Sequence, residues 1–242
     1  MNDASPSFPE TRWSLVLRAR GAEEASRAAG ALDELCRQYW FPLYAFARRA
    51  GHAPPEAEDL TQGFFALLLS RRLLEKADPD RGRLRSFLIG AFKLQISDET
   101  RREQRLRRGG GQPLVSLDHA KAEEWYIASE DDQGPPEERY DRDWAEAVVE
   151  NAMQSLKEEC DSRGKGAQLA RLREFLSWDQ AEPEVAAAAR DLGLTEGALR
   201  VAVHRLRHRF RELLESQVAQ TVTTPAELKA ELDHLFRTLL RE

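Results

Sequence analysis

The sequence predicts an all-α protein of two small helical domains, joined by a flexible acidic linker and followed by a short C-terminal helix. Three observations lead to this prediction. Apolar residues recur at spacings of three and four along most of the 242 residues, and no stretch alternates convincingly as a strand does. One internal segment combines many acids with Pro and Gly. A helix-turn-helix pattern lies beyond that segment.

The first half of the chain predicts three helices that pack as a small bundle. The first ends at Gly51, and the second begins at Pro54, where a proline suits a helix start. The third runs from Leu84 to about Arg107. Their inward-facing residues repeat every three or four positions: Leu32, Leu35, Tyr39, Leu43 and Phe46, then Ala57, Leu60, Phe64, Leu67 and Leu68, then Leu84, Phe87, Leu88 and Ala91.

The acidic linker is predicted over residues 111–143, after the helix stop "GGGQP". Residues 117–143 hold ten acidic and three basic side chains, a net charge of −7 that accounts for the −6 of the whole chain. With "DDQGPPEE" at its centre, the segment is typical of a flexible tether. Helices resume near Trp144 and again near Ala167, and a final amphipathic helix follows Pro225.

The helix-turn-helix lies within residues 185–210. Ala189 is small where two helices approach closely, Gly193 can adopt the positive φ of the turn, and Thr195 suits the N-cap of the second helix. That helix is expected to bury one apolar face, formed by Leu199, Val203, Leu206, Phe210 and Leu213.

The second helix also carries a basic face. At 100° per residue, Arg200, His204, Arg207 and Arg211 cluster beside the apolar seam, with Arg205 and Arg209 on the other flank. Guanidiniums in such a row suit phosphate and guanine recognition in a major groove. The pattern favours DNA binding over the alternative of an ordinary solvated basic face. A second basic run, from residue 81 to residue 108, suggests contact with DNA at two separated places.

Four segments in this order resemble the extracytoplasmic-function sigma factors of bacterial RNA polymerase, over about residues 28–216. They read "LCRQYWFPLYAFARRAGH", "EAEDLTQGFFALLL", "DRGRLRSFLIGAFKLQISDETRR" and "LGLTEGALRVAVHRLRHRFRELL". The resemblance implies an N-terminal leader over residues 1–27, sigma region 2 over 28–110 and the linker over 111–143. Sigma region 4 then covers 144–216, and 217–242 form a C-terminal helical extension.

The resemblance also implies a role for each basic and acidic face. The acidic start of the second helix matches the surface that docks on the β′ clamp of the polymerase: Glu56, Glu58, Asp59 and Gln62. Residues of the third helix and its approach match the −10 element reader: Arg83, Arg85, Lys93, Arg101, Arg102 and Arg105. The helix-turn-helix matches the −35 reader through Thr195, Glu196, Arg200, His204, Arg205, Arg207, His208 and Arg211.

The implied partners are promoter DNA and core RNA polymerase, through its β′ clamp and β flap, together with an anti-sigma factor or a regulatory kinase. The alternative is a stand-alone helix-turn-helix regulator that binds operator DNA without polymerase. Thr61 is interpreted as a satisfied helix threonine rather than as a phosphorylation site.

No enzyme chemistry, cofactor or metal is expected, since no nucleophile has a base and the pair His204 and His208 lacks a third ligand. Cys36 and Cys160 are expected to be unpaired in a cytoplasmic protein. Neither a secretory signal nor a membrane span is expected, because the longest apolar runs are too short.

Overall fold

A computed structural model describes residues 12–14, 22–69, 83–103, 123–124, 126–127, 135–176 and 184–240. These residues are helical apart from short turns and contain no strand, so the predicted all-α class is confirmed. None of the described helices has the length and apolarity needed to cross a membrane. The helices are α1 (Ala22–Arg49), α2 (Pro54–Leu69), α3 (Leu84–Glu103), α4 (Pro136–Ser162), α5 (Gly166–Leu172), α6 (Val185–Asp191), α7 (Glu196–Ala219) and α8 (Pro225–Leu239), with a 3₁₀ turn at Arg173–Leu176.

The chain divides into two compact units. The first unit comprises Met1–Ala147 with Val218–Glu242, and the second comprises Val148–Gln217. Both boundaries fall inside helices, within α4 and near the end of α7. The C-terminal segment therefore belongs to the unit that also contains α1, α2 and α3, and the predicted C-terminal helix is present there as α8.

Aromatic packing forms the core of the first unit. Tyr39 and Leu43 of α1 are fully buried, as are Phe64 of α2 and Phe92 of α3. The rings of Phe64 and Phe92 meet edge to face with centroids 5.2 Å apart, a favoured geometry for aromatic pairs. The ring of Phe92 also meets that of Phe46 of α1, with centroids 6.4 Å apart. Aromatic contacts therefore join the three helices of the bundle predicted for the first half of the chain.

The apolar stripe of α2 differs from the prediction at one position. Leu67 is 41% exposed, whereas Phe65 is buried. The buried face of α2 is centred between Phe64 and Phe65 and includes the buried Thr61, so that Leu67 lies at its outer edge. The predicted stop of the first helix is confirmed: α1 ends at Arg49, and Gly51 has a φ of 97°, a left-handed conformation that glycine adopts without strain. The predicted end of the third helix, near Arg107, lies outside the described residues.

The flexible-linker prediction is wrong for residues 136–143. Helix α4 begins at Pro136, eight residues before the predicted start, and buries both Tyr140 and Asp143. Tyr140 continues the apolar stripe of Trp144 by one turn, and the acids of the first turn suit the positive helix N-terminus. Asp143 forms an ion pair with Arg49 of α1, whose Nη2 lies 3.1 Å from its Oδ1.

Acidic residues of the predicted linker thus take part in packing. Glu123 is helical and accepts a hydrogen bond from Nη2 of Arg48 at 2.8 Å, and it also pairs with the hydroxyl of Tyr44. The sequence interpretation placed these carboxylates in solvent because a single sequence does not reveal their partners. Apart from residues 123–124 and 126–127, residues 111–134 lie outside the described part of the chain.

The second unit has its own core. It forms where α5, the 3₁₀ turn, α6 and α7 meet, and the predicted helix near Ala167 is present as α5. The buried residues that line this core are Leu172, Phe175, Ala188, Ala189, Leu199 and Val203. Cys36 is buried, Cys160 is partly buried, and the two form no disulfide.

Candidate nucleic-acid interface

The helix-turn-helix has the local geometry that its sequence predicts. Gly193 adopts a φ of 63°, and the chain turns there. The amide of Leu194 closes this turn by donating to the carbonyl of Ala189 at 2.8 Å. Thr195 then caps α7, because its Oγ1 accepts a hydrogen bond from the amide of Ala198 at 3.2 Å. Turn and cap together fix the direction in which α7 leaves α6.

Helix α7 presents its basic residues away from the core. Leu199, Val203, Phe210 and Leu213 are buried, and Leu206 is partly buried, so the predicted apolar face is confirmed. On the opposite side of the helix the side chains are exposed over three turns. The residues of this exposed basic face are Arg200, His204, Arg205, Arg207, His208 and Arg211.

Several of these side chains have weak or partial partners. Arg200 lies 3.8 Å from Glu196, a solvated pair that costs little to exchange. Arg207 is exposed, and its Nε donates to the carbonyl of Phe175 at 2.9 Å. The two outer guanidinium nitrogens take no part in this hydrogen bond. His208 lies 3.3 Å from Glu212. The face therefore combines loosely paired basic side chains with an arginine, Arg207, whose position is fixed by the carbonyl of Phe175.

Arg209 differs from the neighbouring basic residues of α7 because it is engaged in ion pairs within the second unit. It forms ion pairs with Glu159 of α4 and with Glu212 of α7, and its Nη1 donates to Glu212 at 2.7 Å. Both contacts lie within the second unit, and the one with Glu159 fastens α7 to α4. Val201, in contrast, is 51% exposed and lies among the cations of the exposed face.

Arg85, which the resemblance assigns to the −10 reader, is buried in this structure. It forms ion pairs with Asp141 of α4 and Glu231 of α8, and its guanidinium lies over the ring of Trp144 at 5.1 Å. Burial opposes the charged form of Arg85, but the carboxylates of Glu231 and Asp141 outweigh it and raise its pKa. In this conformation Arg85 cannot contact DNA, and that part of the prediction requires correction.

The other residues of the predicted −10 reader are placed unequally. Arg83 is one-third exposed, and its Nε lies 2.8 Å from Glu231. Lys93 is half exposed and pairs with Glu137 of α4. Arg101 and Arg102 lie in α3, but their side chains are outside the described part of the chain, as is all of Arg105. Of the six residues, Arg83 and Arg85 are thus brought together around one carboxylate.

Only two of the four polar residues at the acidic start of α2 are exposed to solvent. Glu56 and Asp59 are exposed, while Glu58 is half-buried and accepts a hydrogen bond from Nε2 of the buried Gln62 at 3.0 Å. Gln62 therefore orients Glu58 rather than offering its amide to a partner. Thr61 is fully buried and donates to the carbonyl of Ala57 at 2.7 Å, as its interpretation as a satisfied helix threonine predicts.

Scans against protein-family models, curated proteins and solved structures find no match for this chain. Among the described residues, no group of three His, Cys, Asp or Glu side chains could hold a metal ion.

Sequence reasoning missed Glu231 and Asp141 as partners of the arginines. The signal was present for Glu231, which lies three residues after Leu228 and four before Leu235, on the apolar face of α8. A carboxylate on a buried face requires a cation close by.

Proposed function

We propose that this protein is a sigma factor of the extracytoplasmic-function type, which binds core RNA polymerase and directs it to promoters. It contributes recognition and opening of DNA and no catalytic chemistry of its own. The single observation that carries the proposal is the capped helix-turn-helix, whose second helix is exposed and basic on the side opposite its core. The four resembling segments supply the rest of the argument, because a helix-turn-helix alone occurs in many regulators.

The exposed face of α7 supports recognition of the −35 element. Arg200 lies at the start of the second turn of the helix, and the N-terminal turns of a recognition helix approach base edges. Arg205, Arg207 and Arg211 lie further along, where contacts with the phosphate backbone position the helix in the groove. The exposed methyl groups of Val201 suit an apolar contact, such as one with a thymine methyl.

The first turns of α2 support docking on the β′ clamp. Glu56 and Asp59 are exposed carboxylates at a helix N-terminus, and Gln62 holds Glu58 beside them. A cluster of this kind attracts a basic surface and orients it during encounter.

A groove in the second unit supports docking of the β flap. Its volume is about 350 Å³, and Leu156, Leu169, Leu172 and Leu206 contribute apolar side chains to its lining. An amphipathic helix is the kind of element that such a groove accepts.

Gel filtration of the purified protein with bacterial core RNA polymerase tests the proposal. We expect the wild type to elute with the polymerase, and the double variant Glu58→Lys, Asp59→Lys to elute alone. The matched control is Glu124→Lys, Glu138→Lys, which reverses two exposed carboxylates elsewhere in the first unit. This control should bind as the wild type does.

Other outcomes have a clear meaning. Loss of the complex in both double variants would reveal a general charge effect and remove the assignment to α2. A wild type that ignores polymerase but binds duplex DNA tightly would favour a stand-alone regulator. Binding to neither would contradict both functions.

A further inference from the structure

The C-terminal helix α8 covers two arginines that the proposed function assigns to DNA. Glu231 of α8 is buried and its carboxylate lies between both guanidiniums, with Arg83 Nε at 2.8 Å from Oε1 and Arg85 Nε at 3.4 Å from Oε2. A carboxylate and a backbone phosphate present the same kind of oxygen pair to a guanidinium. Glu231 thus places one oxygen beside each arginine, as a phosphate group can, with Oε2 accepting a hydrogen bond from Arg85 and Oε1 lying close to Arg83 without one.

The charges around this cluster are balanced only while α8 is in place. Arg83 and Arg85 face the carboxylates of Asp141 and Glu231, and His234 of α8 lies 3.1 Å from Asp141. Removing α8 takes away one of the two carboxylates. The arginines would then carry an excess of positive charge on α3 and its approach, where a phosphate could replace the lost carboxylate.

The attachment of α8 combines an apolar face with ion pairs. Leu235 is buried and Leu228, Leu232, Phe236 and Leu239 are partly buried, while Glu231 and His234 add ion pairs with Arg83, Arg85 and Asp141. It also has its own N-cap, since Thr224 and Glu227 form a reciprocal capping box. Because this cap is formed by residues of the same segment, α8 can leave its site without breaking the hydrogen bonds at its N-terminus.

We propose that α8 is an intramolecular competitor of DNA, in which Glu231 occupies the position of a backbone phosphate at Arg83 and Arg85. This inference rests on the proposed function and adds its regulation. Single-stranded or partly opened promoter DNA displaces α8, and a protein that captures the released helix would activate binding further. The closed arrangement restrains DNA binding by the free protein.

Fluorescence anisotropy with a labelled 20-nucleotide single-stranded DNA of mixed sequence tests this competition on the full chain. Glu231→Gln keeps the shape of the side chain but removes its charge, and we expect it to tighten binding about tenfold. The matched control is Asp233→Asn, an exposed residue of the same helix, which changes the net charge equally. In an Arg85→Ala background, Glu231→Gln should give a much smaller gain.

Hydrogen exchange on the wild type provides a test that needs no substitution. Adding the same DNA should speed amide exchange in Pro225–Leu239, because the displaced helix loses its tertiary protection. Unchanged exchange with DNA bound would overturn the competition, even if Glu231→Gln failed to fold.

The results separate this inference from the function on which it rests. Equal affinities of the wild type, Glu231→Gln and Asp233→Asn would overturn the competition and leave the sigma proposal intact. Equal gains in both variants would show a net-charge effect and also overturn it. Failure of every variant to bind DNA, with or without polymerase, would overturn both.

Discussion

Arg209 of α7 is tied to Glu159 of α4, with its Nε donating to Oε2 at 2.9 Å. This contact separates two kinds of arginine on one helix. Arg209 is engaged by carboxylates from two helices, whereas Arg200, about two and a half turns earlier, lies 3.8 Å from the exposed Glu196. The sequence of the basic stretch does not distinguish these two arginines, but the structure gives them different ion-pair partners.

Replacement of these two arginines should therefore have different effects. Arg200→Ala should weaken binding of promoter duplex by roughly 1 to 3 kcal/mol if the guanidinium reads a base. Arg209→Ala should leave DNA affinity nearly unchanged and lower the free energy of unfolding by at most about 1 kcal/mol, because its ion pairs are partly solvated. Anisotropy titrations and urea denaturation of both variants check this, and equal losses of affinity would contradict the division of roles.

Salt dependence provides a test of the phosphate contacts. Affinity for duplex DNA should fall linearly with salt on logarithmic axes, because each phosphate contact releases condensed counterions. Arg211→Ala should reduce the magnitude of the slope by about 1 if its exposed guanidinium neutralises one phosphate. Titrations at several potassium chloride concentrations measure it, and an identical slope would place Arg211 away from the backbone.

Two glycines of the helix-turn-helix should respond oppositely to alanine. Gly193 has a φ of 63°, and a Cβ there would meet no neighbour within 4 Å, so backbone strain alone opposes the substitution. We expect Gly193→Ala to lower the free energy of unfolding by about 1 kcal/mol. Gly197→Ala, in the first turn of α7 with equal space, should raise it by roughly 0.5 kcal/mol. Urea denaturation measures the free energy of unfolding of both variants. Stabilisation by Gly193→Ala would contradict the turn geometry.

The buried cluster predicts a pH dependence through Asp141. Burial raises the pKa of this carboxyl, but the hydrogen bond with His234 and the charge of Arg85 outweigh that effect and lower it below 3.8. A carboxyl with a lowered folded pKa stabilises the protein above its unfolded pKa, and this contribution is lost as the pH falls through the folded value. Asp141→Asn should cost about 1 to 3 kcal/mol near pH 6.

As the pH falls through the lowered folded pKa of Asp141, the difference in free energy of unfolding between wild type and Asp141→Asn should shrink, because the native carboxyl is then increasingly protonated. Urea denaturation at pH 6 and at two values below 4 measures this. A difference that stays constant with pH would show that Asp141 acts through packing rather than charge.

The helix-turn-helix could be predicted from the sequence because its signals are local. Gly193, Thr195 and the spacing from Leu199 to Phe210 each specify a conformation or a face within a few residues. The interior of the first unit could not be predicted in the same way. Asp143 and Glu231 are charged residues whose partners lie far away in sequence, at Arg49, Arg83 and Arg85, and a charge is read as exposed until its partner is known.

Transcription by core RNA polymerase on fragmented genomic DNA of the organism that encodes this protein tests the central claim most directly. RNA 5′ ends are sequenced with and without the protein, and with Arg200→Ala as a variant. We expect the wild type to produce new start sites that share common sequences about 10 and 35 base pairs upstream, as the two implied elements require. Arg200→Ala should weaken dependence on the −35 sequence. Start sites identical with and without the protein, under conditions where it binds DNA, would contradict the assignment as a sigma factor.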